Sequence, residues 1–265
     1  MAVPEARRVQ LQPAYVLHHR PYRDTSRILE LFTRDFGRVS VFARGARGAR
    51  KSGAALISTL QPFNRLLLSW MGRGEAGRLT DAEFDGAASG LPPQHLVSGF
   101  YLNELLMKLF ARHDGHAEVF AFYDETITAL KTEVDALRPL RLFEKRLLDA
   151  LGYGLALDRE AVTGAPLEAQ AMYYYRIEQG AVRAPDPGAA EGTDERMPQN
   201  DRLQNDRSMS AMLYSGAMLM SLAREDLREA DCAAARRLLR TALDRCLEGR
   251  ELKSRQVMMA LRRSN

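Results

Sequence analysis

Residues Gly37 to Gly74 read GRVSVFARGARGARKSGAALISTLQPFNRLLLSWMGRG. Seven cations punctuate this stretch, and neither Asp nor Glu occurs between Asp35 and Glu75. The seven are Arg38, Arg44, Arg47, Arg50, Lys51, Arg65 and Arg73. Since short strands and glycine-rich turns give these charges no counter-charge nearby, they need an anion from outside the chain, and a polyphosphate backbone is the most economical one. We therefore predict a nucleic-acid-binding surface that uses all seven.

Short runs rich in β-branched and aromatic residues make up this part of the chain. They are Ala14–Arg20, Arg27–Thr33, Arg38–Arg44, Phe63–Trp70 and Gly77–Phe84. Polar turns separate them and no helical pattern intervenes, so the runs predict five strands. Five short strands with a basic surface indicate a small barrel, for which an OB-fold is the leading choice and a Greek-key fragment of a sandwich the alternative.

The third strand shows which side chains face outward. With a period of two, Val39, Val41 and Ala43 face the core, and Phe42 shares the other face with its flanking cations. An aromatic ring between arginines on an open barrel face can stack a base, and we predict this role for Phe42. The alternative is that Phe42 lies under a loop or against the helical part of the chain.

Charge is distributed unevenly along the 265 residues. The chain has a net charge of +4, but residues 1–80 contain 14 Lys or Arg against 5 Asp or Glu, and the remainder contains 24 against 29. This asymmetry points to an anionic partner for the N-terminal part. Two cysteines cannot form a disulfide framework, and no signal peptide or membrane-spanning run is present, so we expect a cytoplasmic location.

Helical periodicity begins after Leu91-Pro92-Pro93. We predict an α+β protein with a barrel domain at residues 1–86 and a mainly helical domain at residues 87–265. Residues 172–183 predict a hairpin, and the Pro-, Gly- and Asp-rich residues 185–207 predict a long loop. The two together form an insertion at about residues 155–207.

The predicted helix from Ala136 to Leu151 has two distinct flanks. Leucines and Phe143 form an inward stripe, while Arg138, Arg141 and Lys145 lie on a neighbouring flank with Leu142 beside them. The ordinary interpretation is a solvated basic face. The alternative hypothesis is a groove for an acidic peptide that ends in an apolar side chain.

Several short motifs resemble nucleotide or metal sites, but the sequence around each motif does not fit such a site. Gly72, Gly74 and Gly77 match G-x-G-x-x-G, but the strand-like RLTDAEF follows where a dinucleotide site needs a helix. His113 and His116 have a spacing that a metal accepts, but an interhelical loop explains them. Walker A, nucleophile-elbow and H-E-x-x-H motifs are absent, so we predict a protein that is not an enzyme and needs no cofactor.

Six segments in order resemble the bacterial recombination mediator family RecO. They are GRVSVFARGAR, LQPFNRLLL, GRGEAGRLTDAE, YLNELLMKL, LLDALGYG and LKSRQ, which lie between about Tyr15 and Arg255. The resemblance implies an OB-fold followed by a helical domain and a role in DNA repair. It also implies binding of single- and double-stranded DNA, annealing of strands coated with single-stranded-DNA-binding protein, and help in loading the RecA recombinase together with RecR.

The resemblance also implies a peptide site and no zinc. The family's site for the acidic tail of the single-strand-binding protein maps by motif position onto Arg141, Phe143, Lys145 and Leu151. Many members carry a four-cysteine zinc module after this helix, whereas LALDREAVTGAPLEAQ here contains no cysteine. Two rival functions remain at this stage: a nuclease, which needs an acidic metal cluster that residues 36–74 lack, and an RNA-binding or regulatory OB-fold module.

Overall fold

A computed structural model describes residues 7–22, 26–44, 56–72, 76–185 and 213–264. The chain forms two compact units. The first comprises residues 1–136 and 250–265, and the second comprises residues 137–249. Each unit is described by itself.

The first unit is built on a closed barrel of five strands. They are β1 (Arg7–Tyr22), β2 (Ser26–Thr33), β3 (Gly37–Ala43), β4 (Leu66–Gly72) and β5 (Ala76–Phe84). The order around the barrel is β1-β2-β3-β5-β4, and only the β3–β5 pair is parallel among the strand pairs of this barrel. This is the predicted OB-fold.

Alternation along the strands fills the barrel. Val39, Val41 and Ala43 point into the core, together with leucines of β2 and β4 and the indole of Trp70. The prediction for the inward face of β3 is confirmed. β1 is longer than the predicted run, because bulges between Val9 and Gln12 and between Val16 and His18 let one strand curve around the barrel and pair on both edges.

The helices described in the first unit include α1 (Leu96–Leu109), α2 (Ala117–Thr132) and, from the C-terminal end, α6 (Lys253–Ser264). The rings of Tyr15 and Phe32 on the outside of the barrel pack against Phe120 and Tyr123 of α2. Asn103 of α1 donates a 2.9 Å hydrogen bond to the Leu17 carbonyl and accepts one of 2.6 Å from Tyr123. These contacts explain why the compact units do not divide at residue 86, where the sequence pattern predicts a domain boundary.

The second unit combines helices with a small sheet. Its helices are α3 (Leu137–Ala150), α4 (Gly216–Ala223) and α5 (Cys232–Leu247). Strands β6 (Met172–Arg176) and β7 (Gly180–Arg183) form the predicted hairpin, which turns at Gly180. A short strand β8 (Leu213–Ser215), in a region where the sequence pattern predicts helix, pairs with the other edge of β6.

Candidate nucleic-acid interface

A buried acidic residue occupies the outer face of the barrel beside the helices. Both oxygens of the Glu30 carboxylate accept hydrogen bonds from Arg112, at 3.0 and 2.9 Å, and Ser40 and Arg38 also donate to it. Burial alone would raise the pKa of Glu30, but the hydrogen bonds from Arg112 and Ser40 and the charge of Arg38 hold this pKa below its ordinary value. Glu30 is therefore an anion in the folded protein.

This anion corrects the prediction for Arg38. The side chain of Arg38 is 12% exposed, forms a 2.9 Å ion pair with Glu30, and donates to the backbone carbonyls of Met107 and Phe110. The expectation that Arg38 lacks a counter-charge is wrong. The acid lies on the neighbouring strand, eight residues earlier in the chain, outside the acid-free stretch that suggested an unpaired cation.

Arg65 is neutralised as well. It forms a 2.7 Å ion pair with Asp85 and a second ion pair with Asp124 of α2, whose carboxylate also accepts from the Tyr15 hydroxyl. The expectation of an uncompensated charge at Arg65 is also wrong, because an acid from a distant helix folds onto it. Arg65 links the barrel to α2 and is not available as a free cation.

Away from the helices, the outer face carries a different set of side chains. Cross-strand partners share one face of a sheet. The register pairs Arg20 with Ile28, Ile28 with Phe42, Phe42 with Arg78, Arg78 with Met71 and Met71 with Arg8. We call this row, together with Tyr22, the outer belt; its members are Arg8, Arg20, Tyr22, Ile28, Phe42, Met71 and Arg78. Unlike the face beside the helices, the outer belt presents aromatic and aliphatic side chains between exposed arginines.

Among the described residues, no acid forms an ion pair with the three arginines of the outer belt, which distinguishes them from Arg38 and Arg65. Within the described part of the chain, Arg8, Arg20 and Arg78 make no hydrogen bond or ion pair through their side chains. Arg44, which follows β3, is exposed and equally unpaired among the described residues. A surface with four such cations attracts polyanions.

Phe42 lies at the centre of the outer belt. Its ring is half-buried and lies 5.3 Å from the ring of Tyr22, at an interplanar angle of 54°. Tyr22 is 38% exposed. The two rings thus form a partly open aromatic platform with Arg20 and Arg78 on either side, which is an arrangement that can stack an unpaired base.

The sequence patterns predicted some residues of the outer belt and its surroundings, and they missed others. Arg47, Arg50, Lys51 and Arg73 lie outside the described residues, so their predicted role stays a prediction. Arg8, Arg20 and Arg78 were missed, because they lie far from Phe42 in the sequence. A strand-by-strand alignment of the period-two pattern would have found Arg20 and Arg78, since both fall on outward positions.

The predicted peptide groove on α3 also needs correction. Arg141 is 5% exposed, and its guanidinium donates to the Glu144 carboxylate at 2.7 Å. Phe143 is 1% exposed and belongs to the core. The expectation that Arg141 is a free cation is therefore wrong, because the buried turn of α3 supplies its own acid three residues later.

The remaining residues of that prediction lie at the surface of α3. Lys145 forms 3.1 Å ion pairs with Asp149 and Glu225, and these partners raise the pKa of its ammonium group although burial opposes the change. Leu142 and Leu151 are half-buried. Arg138, with a side chain that is 53% exposed, lies 4.0 Å from Asp226. The flank therefore presents the exposed cation Arg138 and two half-buried leucines, while the charge of Lys145 is balanced by its two acids.

Neither a metal centre nor a membrane span occurs in the described ranges. No three His, Cys, Asp or Glu side chains there are grouped so that they could hold a metal ion. His116 instead forms a 3.0 Å contact with Asp114 in the loop between α1 and α2. No described helix has the length and apolar character needed to cross a membrane.

Comparison with known proteins gives these surfaces a context. Residues 8–86 match the family model "Recombination protein O N terminal", and residues 93–256 match "Recombination protein O C terminal". The chain is 43% identical over 259 residues to the DNA repair protein RecO of Alkalilimnicola ehrlichii, covering 97% of this chain and 94% of the relative. It is 42% identical over 257 residues to the RecO of Nitrosococcus oceani, covering 97% and 95% of the two chains. Because the two family models together cover most of the chain, it belongs to the RecO family of DNA repair proteins.

Proposed function

We propose that this protein is a recombination mediator without catalytic activity, which binds single- and double-stranded DNA through the barrel and anneals complementary strands. The observation that supports this proposal most strongly is the outer belt on an OB-fold in a member of a DNA repair family. Exposed Arg44 adds a further cation, and Arg47, Arg50, Lys51 and Arg73, which lie outside the described residues, remain predicted contacts.

The proposed mechanism separates charge from stacking. Arg8, Arg20, Arg44 and Arg78 neutralise phosphates without reading sequence, so binding weakens with salt. Phe42 and Tyr22 stack on a base of a single strand, which adds about 1–3 kcal/mol per base. Two strands that are held on one cationic surface repel each other less, and base pairing then completes annealing without ATP.

The proposed partners follow from the family. We propose that the acidic tail of single-stranded-DNA-binding protein binds the exposed flank of α3, where Leu142, Lys145 and Leu151 lie beside Arg138. Buried Arg141 and Phe143 act there as residues that position the helix. Such a contact raises the local concentration of the mediator at coated strands. RecR and, indirectly, RecA are the further partners, and the proposed location is the cytoplasm, at the nucleoid during repair.

The decisive experiment is strand annealing. Complementary oligonucleotides are coated with single-stranded-DNA-binding protein that has or lacks its acidic tail, and duplex formation is followed by fluorescence. We expect rapid annealing without ATP, slower annealing without the tail, and loss of annealing in the Arg20→Ala/Arg78→Ala variant. Annealing at the uncatalysed rate with the wild-type protein would contradict the proposal.

A second experiment tests the aromatic platform. Phe42→Leu keeps apolar volume but removes the ring, so we expect weaker binding of single-stranded DNA by about 1–3 kcal/mol and unchanged binding of duplex. A melting curve controls for folding. An equal loss for both substrates would show that Phe42 supports the barrel and does not stack a base.

The alternative functions give different results in simple assays. An RNA-binding module would bind matched RNA oligonucleotides more tightly than DNA in direct competition. A nuclease would cleave the oligonucleotides when a divalent cation is added. We expect preference for DNA and no cleavage.

A further inference from the structure

A groove in the first unit is lined by residues of α1 and α6 and by His18 of β1. It encloses a volume of about 510 Å³, which is in the size range of pockets that hold a ligand or several side chains of a peptide. We call it the α1–α6 groove and define it by Phe100, Met107 and Lys108 of α1 and Lys253 and Val257 of α6. None of these residues takes part in the proposed mechanism of DNA binding.

The floor of the α1–α6 groove is apolar and open. Phe100 is 46% exposed and Val257 is 48% exposed, although an OB-fold unit of this size has a core in which such side chains are ordinarily buried. Met107, which is half-buried, also lines the groove. Contiguous exposed apolar side chains in a concave site, rimmed by polar ones, are typical of a surface that binds a partner.

The rim of the groove is cationic, because the acid among its described lining residues, Glu104, has its carboxylate hydrogen-bonded to the start of α6. The Glu104 carboxylate accepts hydrogen bonds from the backbone amides of Lys253 and Ser254, both at 2.9 Å, and from the Ser254 hydroxyl at 2.7 Å. Glu104 thereby caps the first turn of α6. Burial opposes ionisation, but the hydrogen bonds from Ser254 and Lys253 hold the pKa of Glu104 below its ordinary value.

The lysines, in contrast, keep their hydrogen-bonding capacity. Within the described residues, the ammonium groups of Lys108 and Lys253 form neither a hydrogen bond nor an ion pair. Lys108 follows Met107 at the end of α1, and Lys253 lies one helical turn before Val257 on α6. Each apolar wall of the groove therefore ends in a lysine that can pair with a carboxylate.

We propose that the α1–α6 groove binds an acidic segment of a partner protein, whose leucine or phenylalanine side chains fill the apolar floor while its carboxylates pair with Lys108 and Lys253. A concave apolar floor favours a peptide, because the apolar side chains of the peptide fill the floor while its carboxylates pair with the lysines at the rim. Hot-spot residues of such a site are the central apolar anchors, and the lysines at the rim contribute specificity and salt dependence.

The test uses the full-length protein and a fluorescein-labelled peptide that repeats Glu-Glu-Leu-Phe, with binding followed by fluorescence anisotropy. We expect saturable binding that weakens with salt, and a loss of affinity of about tenfold or more in Val257→Asp and in Lys253→Glu. The matched control is Val134→Asp, which introduces the same charge at a valine that is 95% exposed in the same unit. We expect the control to bind like the wild type.

Either of two results would overturn the proposal: no binding of the peptide by the wild-type protein, or equal effects of Val257→Asp and Val134→Asp. A variant peptide with lysine in place of glutamate should not bind. Sedimentation velocity supplies a further measurement. If the wild type is a dimer that Val257→Asp dissociates and the peptide does not, then the groove binds a second copy of this chain and the proposal is wrong.

Discussion

The buried carboxylate of Glu30 determines that two nearby arginines form structural ion pairs. Glu30 lies on the outer face of β2 but is buried, and its carboxylate holds Arg38 and Arg112 in place. Arg112 comes from the loop after α1, so the ion-pair cluster ties the barrel to that loop. Removing the charge of Glu30 leaves two guanidinium groups in a partly desolvated site without their anion.

We predict that Glu30→Gln lowers the free energy of unfolding by about 3 kcal/mol at neutral pH. Since folding depresses the pKa of Glu30, the stabilisation is present above the ordinary carboxylate pKa of 4.5 and is lost as the pH falls through the folded-state value. The difference between wild type and variant should therefore narrow below pH 4.5. Urea titrations at several pH values measure it.

The control for this prediction is Asp35→Asn. Asp35 pairs at 2.8 Å with Arg34, but both side chains are about half exposed. Exposed pairs contribute little to stability, so we expect a change of less than about 1 kcal/mol. Equal effects of Glu30→Gln and Asp35→Asn would show that burial does not strengthen the Glu30 cluster.

Arg141 is the corresponding residue of the second unit. We predict that Arg141→Ala lowers the free energy of unfolding by about 3 kcal/mol, because Glu144 loses its buried cation. Arg138→Ala, at an exposed position of the same helix, should change stability by less than about 0.5 kcal/mol. If Arg141→Ala kept full stability and abolished peptide binding, Arg141 would contact the peptide directly, as the family resemblance implies.

At the scale of elements, the turn into β3 decides how the loop after α1 packs. Gly37 has a φ of +59°, and a Cβ atom placed on it would lie 1.8 Å from the carbonyl oxygen of Asp114. Next to this point, the His113 amide donates a 2.9 Å hydrogen bond to the Arg38 carbonyl. Only glycine permits both the left-handed turn and the close approach of the two backbones.

We predict that Gly37→Ala destabilises the protein by about 3 kcal/mol or more, since a steric clash adds to the cost of the positive φ. Gly86→Ala is the matched control. Gly86 also has a positive φ, of +99°, but a Cβ atom added to it would meet no atom of the described residues within 4 Å, so this variant should lose only about 1 kcal/mol. Thermal unfolding of the two variants gives the comparison, and equal losses would mean that the loop moves away freely.

Strand register, which also acts at the scale of elements, determines the surroundings of each outward-facing residue of the barrel. Arg38 and Phe42 lie four residues apart on the same outward face of β3, but Arg38 donates to the carbonyls of Met107 and Phe110 whereas Phe42 contacts the ring of Tyr22. The position of a residue along β3 therefore decides whether it supports the fold or belongs to the outer belt. The same register places Arg20 and Arg78, which are distant in the chain, in the row of Phe42, one on each side of it.

For the whole molecule, the number of free cations determines the salt dependence of DNA binding. Each phosphate contact on a single strand contributes about −0.7 to the slope of log K against log salt. We predict that Arg20→Ala/Arg78→Ala makes this slope about 1.4 shallower than in the wild type. Fluorescence titrations of a labelled oligonucleotide at several salt concentrations measure the slope.

Arg34→Ala provides the control, because Arg34 is exposed but already paired with Asp35. Its slope should equal that of the wild type. If removing Arg20 and Arg78 weakened binding without changing the slope, these residues would act on the fold of the barrel and not on phosphates.

Much of this molecule could be predicted from local patterns. Alternation with a period of two determined the strands and the inward face of β3, and the turn residues determined the hairpin of the second unit. The seven cations also indicated correctly that the front of the chain is basic. These features depend on residues that are neighbours in the sequence, where periodicity and turn chemistry act directly.

The identity of the free cations was decided by the tertiary structure alone. No sequence pattern near Arg65 predicts its ion pair with Asp124, and none near Arg38 predicts its ion pair with Glu30. Ion pairs form between side chains that folding brings within a few ångströms, whatever their separation along the chain. Composition therefore predicted a basic domain, whereas only the packing of helices on one side of the barrel determined which arginines stabilise the fold and which remain for a partner.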